Sequence, residues 1–262
     1  MIALSVNVNK IALLRNSRGG ARPDLLEACR VALRAGARGI TVHPRPDQRH
    51  VRAADVPAIA TLLREEFPEA EFNVEGNPFA GPNDGGYPGF DALIERTRPD
   101  QVTLVPDDDA QLTSDHGWDL PREAERVAAP IARYRALGAR VSLFMDPEPT
   151  AIAAVRDAGA ERIELYTGPF AEAFAADGRR AGAATEAEFA RFVAGAEAAR
   201  AAGLGINAGH DLDLDNLVVF RDLPGLLEVS IGHALVADAL ELGGLYGTVS
   251  RYLAVLAAAR DA

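Results

Sequence analysis

The side chains best suited to chemistry in this sequence are its five histidines. Histidine changes its charge near neutral pH, so it can serve as a general acid or a general base. All five lie in segments that read as loops, and most of them follow a short apolar run typical of a buried strand. We expect strand ends to gather them at one catalytic face; scattered loop histidines are the alternative. They are His43, His50, His116, His210 and His233.

Two glutamates stand at comparable positions. Glu75 follows Phe72-Asn73-Val74, and Glu164 lies within Ile163-Glu164-Leu165. A carboxyl group partly withdrawn from water at a sheet edge has a raised pKa, which suits it to proton transfer near neutral pH. We therefore predict an acid–base role for Glu75, with an arginine-paired structural glutamate as the alternative. Glu164 remains a candidate only, because polar layers also occur inside barrels.

Two turns rich in small residues favour anion binding. Ser230-Ile231-Gly232-His233-Ala234 ends one strand and opens a helix, and Asn207-Ala208-Gly209-His210 makes a similar turn. Backbone N–H groups at a helix N-terminus bind phosphate well. Arg18 and Arg45 could complete phosphate sites, or could form ordinary surface ion pairs. For the sole lysine, Lys10, we favour a point charge for a phosphate or hydroxyl over a Schiff base.

Further residues at or just past the predicted strand ends complete an inventory typical of an acid–base enzyme with an anionic substrate. They are Asn7, Asn9, Arg15, Thr113, Asp146 and Gly232. A metal site is the main competing interpretation, because histidine and carboxylate are ligands for zinc or manganese. Its candidate ligands are His43, His50, His210, Glu75 and Glu164. No His-x-His pair occurs in the sequence and no compact His/Asp cluster lies on one predicted strand, so we expect no metal.

The elements that must position these residues alternate along the whole chain. Strands are predicted at residues 3–7, 39–42, 71–74, 101–105, 140–144, 162–165, 205–207 and 228–231. Helices are predicted at 23–35, 53–67, 90–97, 122–137, 149–157, 185–202, 213–221 and 245–260, where apolar residues recur at helical spacing.

Eight strand–helix repeats with tight glycine turns before several strands require a parallel sheet covered by helices. We predict a single (β/α)₈ TIM-barrel domain over residues 1–262, with extra helices. A doubly wound sheet lacks support, because no G-x-G-x-x-G follows the first strand. Four long loops, 9–22, 76–89, 106–121 and 167–184, should build the functional rim at the C-terminal ends of the strands. The polar segment 106–121 is either a mobile lid or a solvated excursion.

The composition is that of a globular protein, with 262 residues of which 48% are hydrophobic and 25% charged. The net charge of −11 argues against nucleic-acid binding but allows an anionic small molecule at a local arginine cluster. The single cysteine, Cys29, excludes an intramolecular disulfide and reads as a core residue. No apolar stretch approaches a membrane span, and the first strand leaves no room for a signal peptide. We expect a cytoplasmic enzyme.

The motifs together resemble the pyridoxine 5′-phosphate synthase family over nearly the whole chain. The most specific matches are Gly39-Ile40-Thr41-Val42-His43-Pro44-Arg45-Pro46-Asp47-Gln48-Arg49-His50 and Asn207-Ala208-Gly209-His210. Others are Val6-Asn7-Val8, Leu14-Arg15-Asn16-Ser17-Arg18-Gly19, Asn73-Val74-Glu75, Leu104-Val105-Pro106, Val141-Ser142-Leu143-Phe144, Ile163-Glu164 with Thr167-Gly168, and Ile231-Gly232-His233-Ala234.

The resemblance implies a barrel that condenses 3-amino-2-oxopropyl phosphate with 1-deoxy-D-xylulose 5-phosphate to pyridoxine 5′-phosphate, inorganic phosphate and water. It implies no metal or organic cofactor and a homo-octamer. It also implies that His43 accepts a proton, that Glu75 is a second acid–base group and that His210 donates a proton. Residues implied to hold the amino-ketone phosphate are Asn7, Arg18, Gly232 and His233; those for the deoxyxylulose phosphate are Arg45, His50 and Thr113.

The chain departs from the usual family pattern at three places. Asn9-Lys10 stands where many members have Asp-His, although Lys10 keeps a positive donor. Asp211 stands where glycine is common; its backbone contact with substrate would survive, but its carboxylate would repel a phosphate. Segment 76–89 replaces a more helical one. A paralogue with a shifted substrate preference is the alternative within the fold, and a metal-dependent TIM-barrel isomerase or lyase acting on a sugar phosphate is the alternative function.

Overall fold

The strands of this protein close into a parallel barrel. A computed structural model of the chain describes residues 1–108 and 111–258. Within these residues eight strands pair in chain order, and the last pairs with the first. They are β1 Ala3–Asn7, β2 Gly39–Val42, β3 Glu71–Gly76, β4 Gln101–Leu104, β5 Arg140–Met145, β6 Arg162–Tyr166, β7 Gly205–Gly209 and β8 Leu226–Ile231. The predicted (β/α)₈ barrel is confirmed, and a doubly wound sheet is excluded.

Helices surround the barrel and begin after every strand. They are α1 Asn9–Asn16, α2 Leu25–Arg34, α3 Asp55–Glu66, α4 Phe90–Thr97, α5 Leu120–Ala136, α6 Pro149–Ala153, α7 Gly168–Ala176, α8 Ala183–Ala201, α9 Leu217–Phe220, α10 His233–Glu241 and α11 Leu245–Ala257. Over the described residues, α1, α7 and α10 are additional to one helix per strand, so the expected extra helices are present. The predicted end of the last helix, residue 260, lies outside the described residues.

Two segments predicted as loops, 9–22 and 167–184, in fact contain helices α1 and α7. Helix α1 buries Ile11, Ala12 and Arg15 while Leu13 and Leu14 are exposed, so its sequence does not follow the usual apolar spacing. Helix α7 is short and begins with Gly-Pro. Both helices start directly after a strand, where tertiary packing can outweigh a weak local pattern.

Several strands extend further toward their C-terminal ends than predicted. Glu75 pairs with Thr103, and Gly209 pairs with Ser230. These polar and small residues interrupt the apolar pattern without interrupting the hydrogen-bonded ladder. As a result Glu75 lies within β3 rather than after it, and its side chain is held by rigid backbone. Helices α6 and α9 are shorter than predicted because turns complete those segments.

The barrel interior is polar, and the main apolar core lies between the strands and the surrounding helices. Leu4, Val6 and Ile40 are fully buried on the outward side of their strands. Inside, Ser5 and Thr41 share a 2.7 Å hydrogen bond between their hydroxyl groups. Cys29 is buried in the outer core, as expected. None of the described helices has both the length and the apolar character needed to span a membrane.

Candidate active site

A cavity of about 430 Å³ opens at the C-terminal ends of the barrel strands. Its wall receives side chains from strands and loops distributed over most of the chain. The sequence-predicted residues in this wall are Asn7, Asn9, Lys10, His43, Arg45, His50, Glu75, Thr113, Glu164, His210, Asp211, Gly232 and His233. The barrel therefore brings together groups that are far apart in the sequence.

Four predicted site residues have other surroundings. Asp146 is not among the described residues of the cavity wall, and its Oδ2 accepts a hydrogen bond from the backbone N–H of Gly117 at 3.2 Å. Arg18 is exposed after α1 and is not among the described residues in the cavity wall. His116 is also absent from that described wall and pairs at the surface with Asp115, at 2.6 Å between Nδ1 and Oδ1. Arg15 is buried and donates to both carboxylate oxygens of Asp55 at 2.7 and 2.8 Å, so its role is structural. The expected convergence holds for four of the five histidines, and His233 begins α10 rather than lying in a loop.

His43 and Glu75 form a close pair deep in the cavity. His43 Nδ1 lies 3.9 Å from Glu75 Oε2, and both side chains are about nine-tenths buried. Asn7 Nδ2 donates to the same carboxyl oxygen at 3.4 Å. The backbone N–H of His43 donates to Asn9 Oδ1 at 3.0 Å, which fixes the position of the histidine against β1. Glu75 thus has an amide and an imidazole as neighbours rather than the arginine of the structural alternative.

Burial shifts the pKa values of His43 and Glu75 in opposite directions. It raises the pKa of Glu75 well above its usual value, with added repulsion from Glu164 and Asp107. It lowers the pKa of His43, with added repulsion from Arg45 and other nearby cations. Both effects disfavour the charged forms. Burial therefore favours a protonated carboxyl group beside a neutral imidazole, which pairs an acid with a base.

Glu164 lies below this pair, within β6. Burial raises the pKa of Glu164 to about 7. The side chain reaches the floor of the cavity, where a Cβ atom on Gly209 would lie 2.4 Å from Glu164 Oε1. Glycine at position 209 is therefore needed to leave room for this carboxyl group.

His50 is held as a neutral hydrogen-bond donor. Its Nδ1 accepts a 2.9 Å hydrogen bond from the backbone N–H of Val51, so the ring proton resides on Nε2. Burial lowers the pKa of His50 to about 3, with repulsion from Arg45 and Lys10 as further causes. Its ring centre lies 6.3 Å from that of His43 in an edge-on arrangement. This imidazole is suited to bind substrate without carrying a charge.

His210 lies in the same wall between a loop hydroxyl and a carboxylate. Its Nε2 is 2.8 Å from Thr113 Oγ1, and its Nδ1 is 2.8 Å from Asp211 Oδ2. The ring also packs edge-on against Tyr166 with 5.1 Å between ring centres. Loop 106–121 therefore contacts the end of β7 directly through Thr113.

Arg45 forms a buried ion pair with Asp107. Ser114 Oγ also donates to Asp107 at 2.7 Å, and Asn77 Nδ2 donates to the backbone oxygen of Asp107 at 2.7 Å. Arg45 lines the cavity, but its guanidinium is neutralised by a carboxylate from loop 106–121. It is neither a surface ion pair nor an unpaired anion site.

Sequence reasoning missed the residues that hold loop 106–121 in place. Besides Asp107 and Ser114, Arg49 donates to the backbone oxygens of Gln111 and Leu112, both at 3.1 Å. Arg49 lies inside the Gly39–His50 motif, so its position between two predicted cavity residues was an available signal. Asp107 had a weaker signal, the acidic run that follows β4.

The N-terminus of α10 lies at the cavity wall. Gly232 is its N-cap residue, and His233 is the first helical residue. A Cβ atom on Gly232 would come within 3.1 Å of Asn7, so glycine permits the close approach of β1 and β8 here. Across residues 1–108 and 111–258, no group of three or more His, Cys, Asp or Glu side chains is arranged to hold a metal ion.

The sequence matches one protein family over almost its full length. The model of the family described as pyridoxal phosphate biosynthesis protein PdxJ matches residues 4–258. Similar proteins include the pyridoxine 5′-phosphate synthases of Xanthomonas oryzae pv. oryzae strain MAFF 311018 and Xanthomonas campestris pv. campestris strain B100. They are 55% and 57% identical over 256 and 255 residues, covering 97% of this chain and 96% of each relative. The one from Mesorhizobium japonicum is 50% identical over 251 residues, 95% of this chain and 96% of the relative.

Solved structures with a similar backbone have much lower sequence identity. A tryptophan synthase structure from Mycobacterium tuberculosis gives a TM-score of 0.62 at 14% identity, covering 97% of this chain and 92% of that one. The 3-hexulose-6-phosphate synthase of Salmonella typhimurium gives 0.59 at 15% identity, covering 98% and 99%. These likenesses show the shared barrel fold.

Proposed function

The chain belongs to the PdxJ family of pyridoxal phosphate biosynthesis proteins, and on this premise we propose the reaction that its cavity carries out. It is an enzyme that makes pyridoxine 5′-phosphate. We propose that it condenses 3-amino-2-oxopropyl phosphate with 1-deoxy-D-xylulose 5-phosphate, and releases inorganic phosphate and water. Ring closure by this route needs several proton transfers within one pocket, and the cavity groups suit that need.

We propose that His43, Glu75 and His210 carry the proton transfers. Burial favours the neutral form of His43, which can accept a proton from substrate, and the protonated form of Glu75, which can return one. His210, in the turn after β7, acts as the proton donor. Each positioned transfer contributes typically about 10²–10⁴ in rate. The 3.9 Å separation of His43 and Glu75 supports an exchange of roles between them during the sequence of steps.

The remaining cavity residues are proposed to hold the two phosphorylated substrates. Asn7, Gly232 and His233 surround the N-terminus of α10, which favours the amino-ketone phosphate there. His50, with Nε2–H directed by its backbone contact, is proposed to bind the deoxyxylulose phosphate together with Arg45, Thr113, Asn9 and Lys10.

Two further roles complete this proposal. Arg18 is proposed to reach the amino-ketone phosphate from the exposed end of α1, and the backbone of Asp211 to contact substrate. Holding both substrates in register lowers the barrier by several kcal/mol.

The observation that carries the proposal is the buried His43–Glu75 pair, in a cavity that also contains His210 and the N-terminus of α10. The test is to incubate purified protein with the two substrates and to measure pyridoxine 5′-phosphate and inorganic phosphate. We expect equal amounts of the two products. Absence of pyridoxine 5′-phosphate at any substrate concentration would refute the proposed reaction.

We also propose that the enzyme works in the cytoplasm as a homo-octamer and takes no metal or organic cofactor. The family resemblance supports these three statements. Light scattering of the purified protein would give the mass of the assembly, and a mass corresponding to a single chain would contradict the octamer.

A further inference from the structure

The turn after β7 holds two adjacent residues in an unusual backbone conformation. His210 has φ +88° and Asp211 has φ +54°, which is the left-handed region that residues with side chains rarely adopt. Thr167 Oγ1 donates to the backbone oxygens of Gly209 and His210, and Asn216 Nδ2 donates to that of Asp211 at 2.9 Å. Contacts from β6 and α9 therefore fix a turn that the local sequence disfavours, and such strain concentrates at functional sites.

In this turn the two neighbouring side chains contact each other. Asp211 Oδ2 lies 2.8 Å from His210 Nδ1, and Thr113 Oγ1 lies 2.8 Å from Nε2 at the other end of the ring. Both nitrogens of His210 thus have a partner. Asp211, the partner of Nδ1, is in the same turn, and Thr113, the partner of Nε2, belongs to loop 106–121 across the cavity.

We propose that Asp211 is a positioning residue that keeps a proton on His210 Nδ1, so that proton exchange with substrate takes place at Nε2. This inference rests on the proposed function, because His210 is the proton donor there. The positioning role belongs to the side-chain carboxylate of Asp211, whereas the proposed contact with substrate is made by the backbone of Asp211.

The charge of Asp211 determines which nitrogen carries the proton. The pKa of Asp211 is lowered, chiefly by its hydrogen bond with His210 and further by the charges of His233 and Lys10. An ionised carboxylate can accept but not donate, so His210 Nδ1 must be the donor. Nε2 of the neutral ring then accepts from Thr113, and Nε2 of the protonated ring donates. In both charge states the end of the ring that gains and loses a proton is the one beside Thr113.

The first test measures the position of the proton without any substrate. Protein labelled with ¹⁵N-histidine is studied by solid-state NMR at about pH 8.5, roughly two units above the ordinary histidine pKa. The His210 signals are identified by their loss in His210→Gln. We expect the Nδ1–H form in the native protein and a shift toward the Nε2–H form in Asp211→Gly. Glycine suits the left-handed turn, so this change removes the carboxylate without adding backbone strain.

The second test measures turnover. Asp211→Gly should lower kcat by about tenfold, less than the loss of a proton-transfer group, while each KM changes by less than about twofold. Asp211→Asn tolerates the same turn and keeps an oxygen acceptor, so it should restore part of kcat. Asp157→Asn is the control, because Asp157 is exposed between α6 and β6 and is not among the described residues of the cavity wall. It should leave kcat unchanged.

The two tests separate this inference from the proposed function. If His210 carries its proton on Nε2 in the native protein, or if Asp211→Gly leaves the proton in place, the positioning role is wrong even when the enzyme is active. If the NMR result is as expected but pyridoxine 5′-phosphate is not formed, the proposed reaction is wrong and the Asp211–His210 interaction stands. A change in KM with constant kcat would also contradict positioning, because it indicates a substrate-binding role.

Discussion

At the scale of single residues, one physical cause prepares both members of the His43–Glu75 pair. Removal from water disfavours a charge on either group, so it favours the neutral form of the histidine and the protonated form of the carboxyl group. An anionic substrate entering this cavity changes the balance. Its negative charge favours a protonated His43 and opposes ionisation of Glu75. Substrate binding and the proton transfers are therefore coupled through charge.

Replacing Glu75 by glutamine tests its acid–base role. The amide keeps the size and the hydrogen-bonding capacity of the side chain but cannot transfer a proton. We expect kcat to fall by roughly 10² or more, with an unchanged circular dichroism spectrum. Glu172→Gln, an exposed change on α7, should have normal turnover and serves as the control. Near-normal turnover of Glu75→Gln would remove this residue from the mechanism.

Glu164 should make stability depend on pH in a defined direction. Its pKa is raised in the folded state from 4.5 to about 7, so its stabilising contribution is present below pH 4.5 and is lost as pH rises to about 7. The variant Glu164→Gln has no carboxyl group at this position, so its stability does not undergo this loss as pH rises. The difference in unfolding free energy between variant and native protein should therefore grow over this window, by roughly 3 kcal/mol.

Urea unfolding at pH 4.5 and at pH about 8 measures this difference. The exposed change Glu172→Gln should show no such dependence on pH. A constant difference between Glu164→Gln and the native protein at the two pH values would show that Glu164 is not the titrating group.

At the scale of elements, loop 106–121 is fixed at several points along its length. Asp107 pairs with Arg45, Thr113 contacts His210, and the backbone N–H of Trp118 donates to Phe144 O at 3.0 Å. Gly117 N donates to Asp146 Oδ2 at 3.2 Å, so the last part of the loop packs directly on the end of β5. The polar composition that indicated a lid or a solvated excursion also supplies partners for groups around the cavity.

Gly117→Ala should displace this loop. A Cβ atom at position 117 would lie 2.3 Å from the backbone nitrogen of Asp146 and 2.5 Å from Met145 Cα, and backbone atoms cannot move aside cheaply. We expect kcat/KM to fall by about 10²-fold, the scale of an ångström misplacement near a reacting group. In Gly20→Ala the added Cβ meets no described atom within 4 Å, so this control should keep normal kcat/KM. Equal values for the two variants would contradict a positioning role of the loop.

The sequence predicts the strands better than it predicts the segments that follow them. Residues 3–7 and 39–42 are strands with the predicted bounds, because short and mostly apolar runs bounded by turn signals are distinctive. Glu75 and Gly209 lie within strands although their residue types suggest loops, since pairing with a neighbouring strand decides their conformation. Helix α1 was not predicted for the related reason that its packing, not its pattern, stabilises it.

The cavity residues could be predicted because sequence motifs mark the strand ends. The side chains that pair with these residues could not be predicted. Nothing in a linear pattern indicates that Asp107 neutralises Arg45, because that contact depends on how two loops meet in space. The same holds for Arg15 on α1, whose partner Asp55 is the first residue of α3.

At the scale of the whole molecule, an acidic protein contains a local group of positive side chains. The net charge is −11, yet Lys10, Arg45 and Arg49 all line the cavity. Although Asp107 pairs with Arg45, these side chains meet an anionic substrate at close range, where local contacts outweigh the distant negative surface. In the proposed reaction the phosphate groups are held by the protein and not by a metal.

Removal of metals should accordingly leave turnover unchanged. We expect full kcat after dialysis against a strong chelator, followed by an assay in metal-free buffer. Added zinc or manganese should not raise the rate above that of the untreated enzyme. Loss of activity on chelation with recovery on addition of one metal would instead favour a metal-dependent mechanism.

Pairing of β1 with β8 has a consequence for the synthesis of this protein. Ser5 lies beside Ser230, so the first strand to leave the ribosome keeps one unpaired edge until nearly the whole chain has emerged. Contacts this distant in sequence form slowly, and an open strand edge invites association with other chains in the meantime. A nascent chain that stops before residue 226 has neither a closed barrel nor a complete pocket. Such products should be recognised by the cell as unfolded protein rather than persist as weak enzymes.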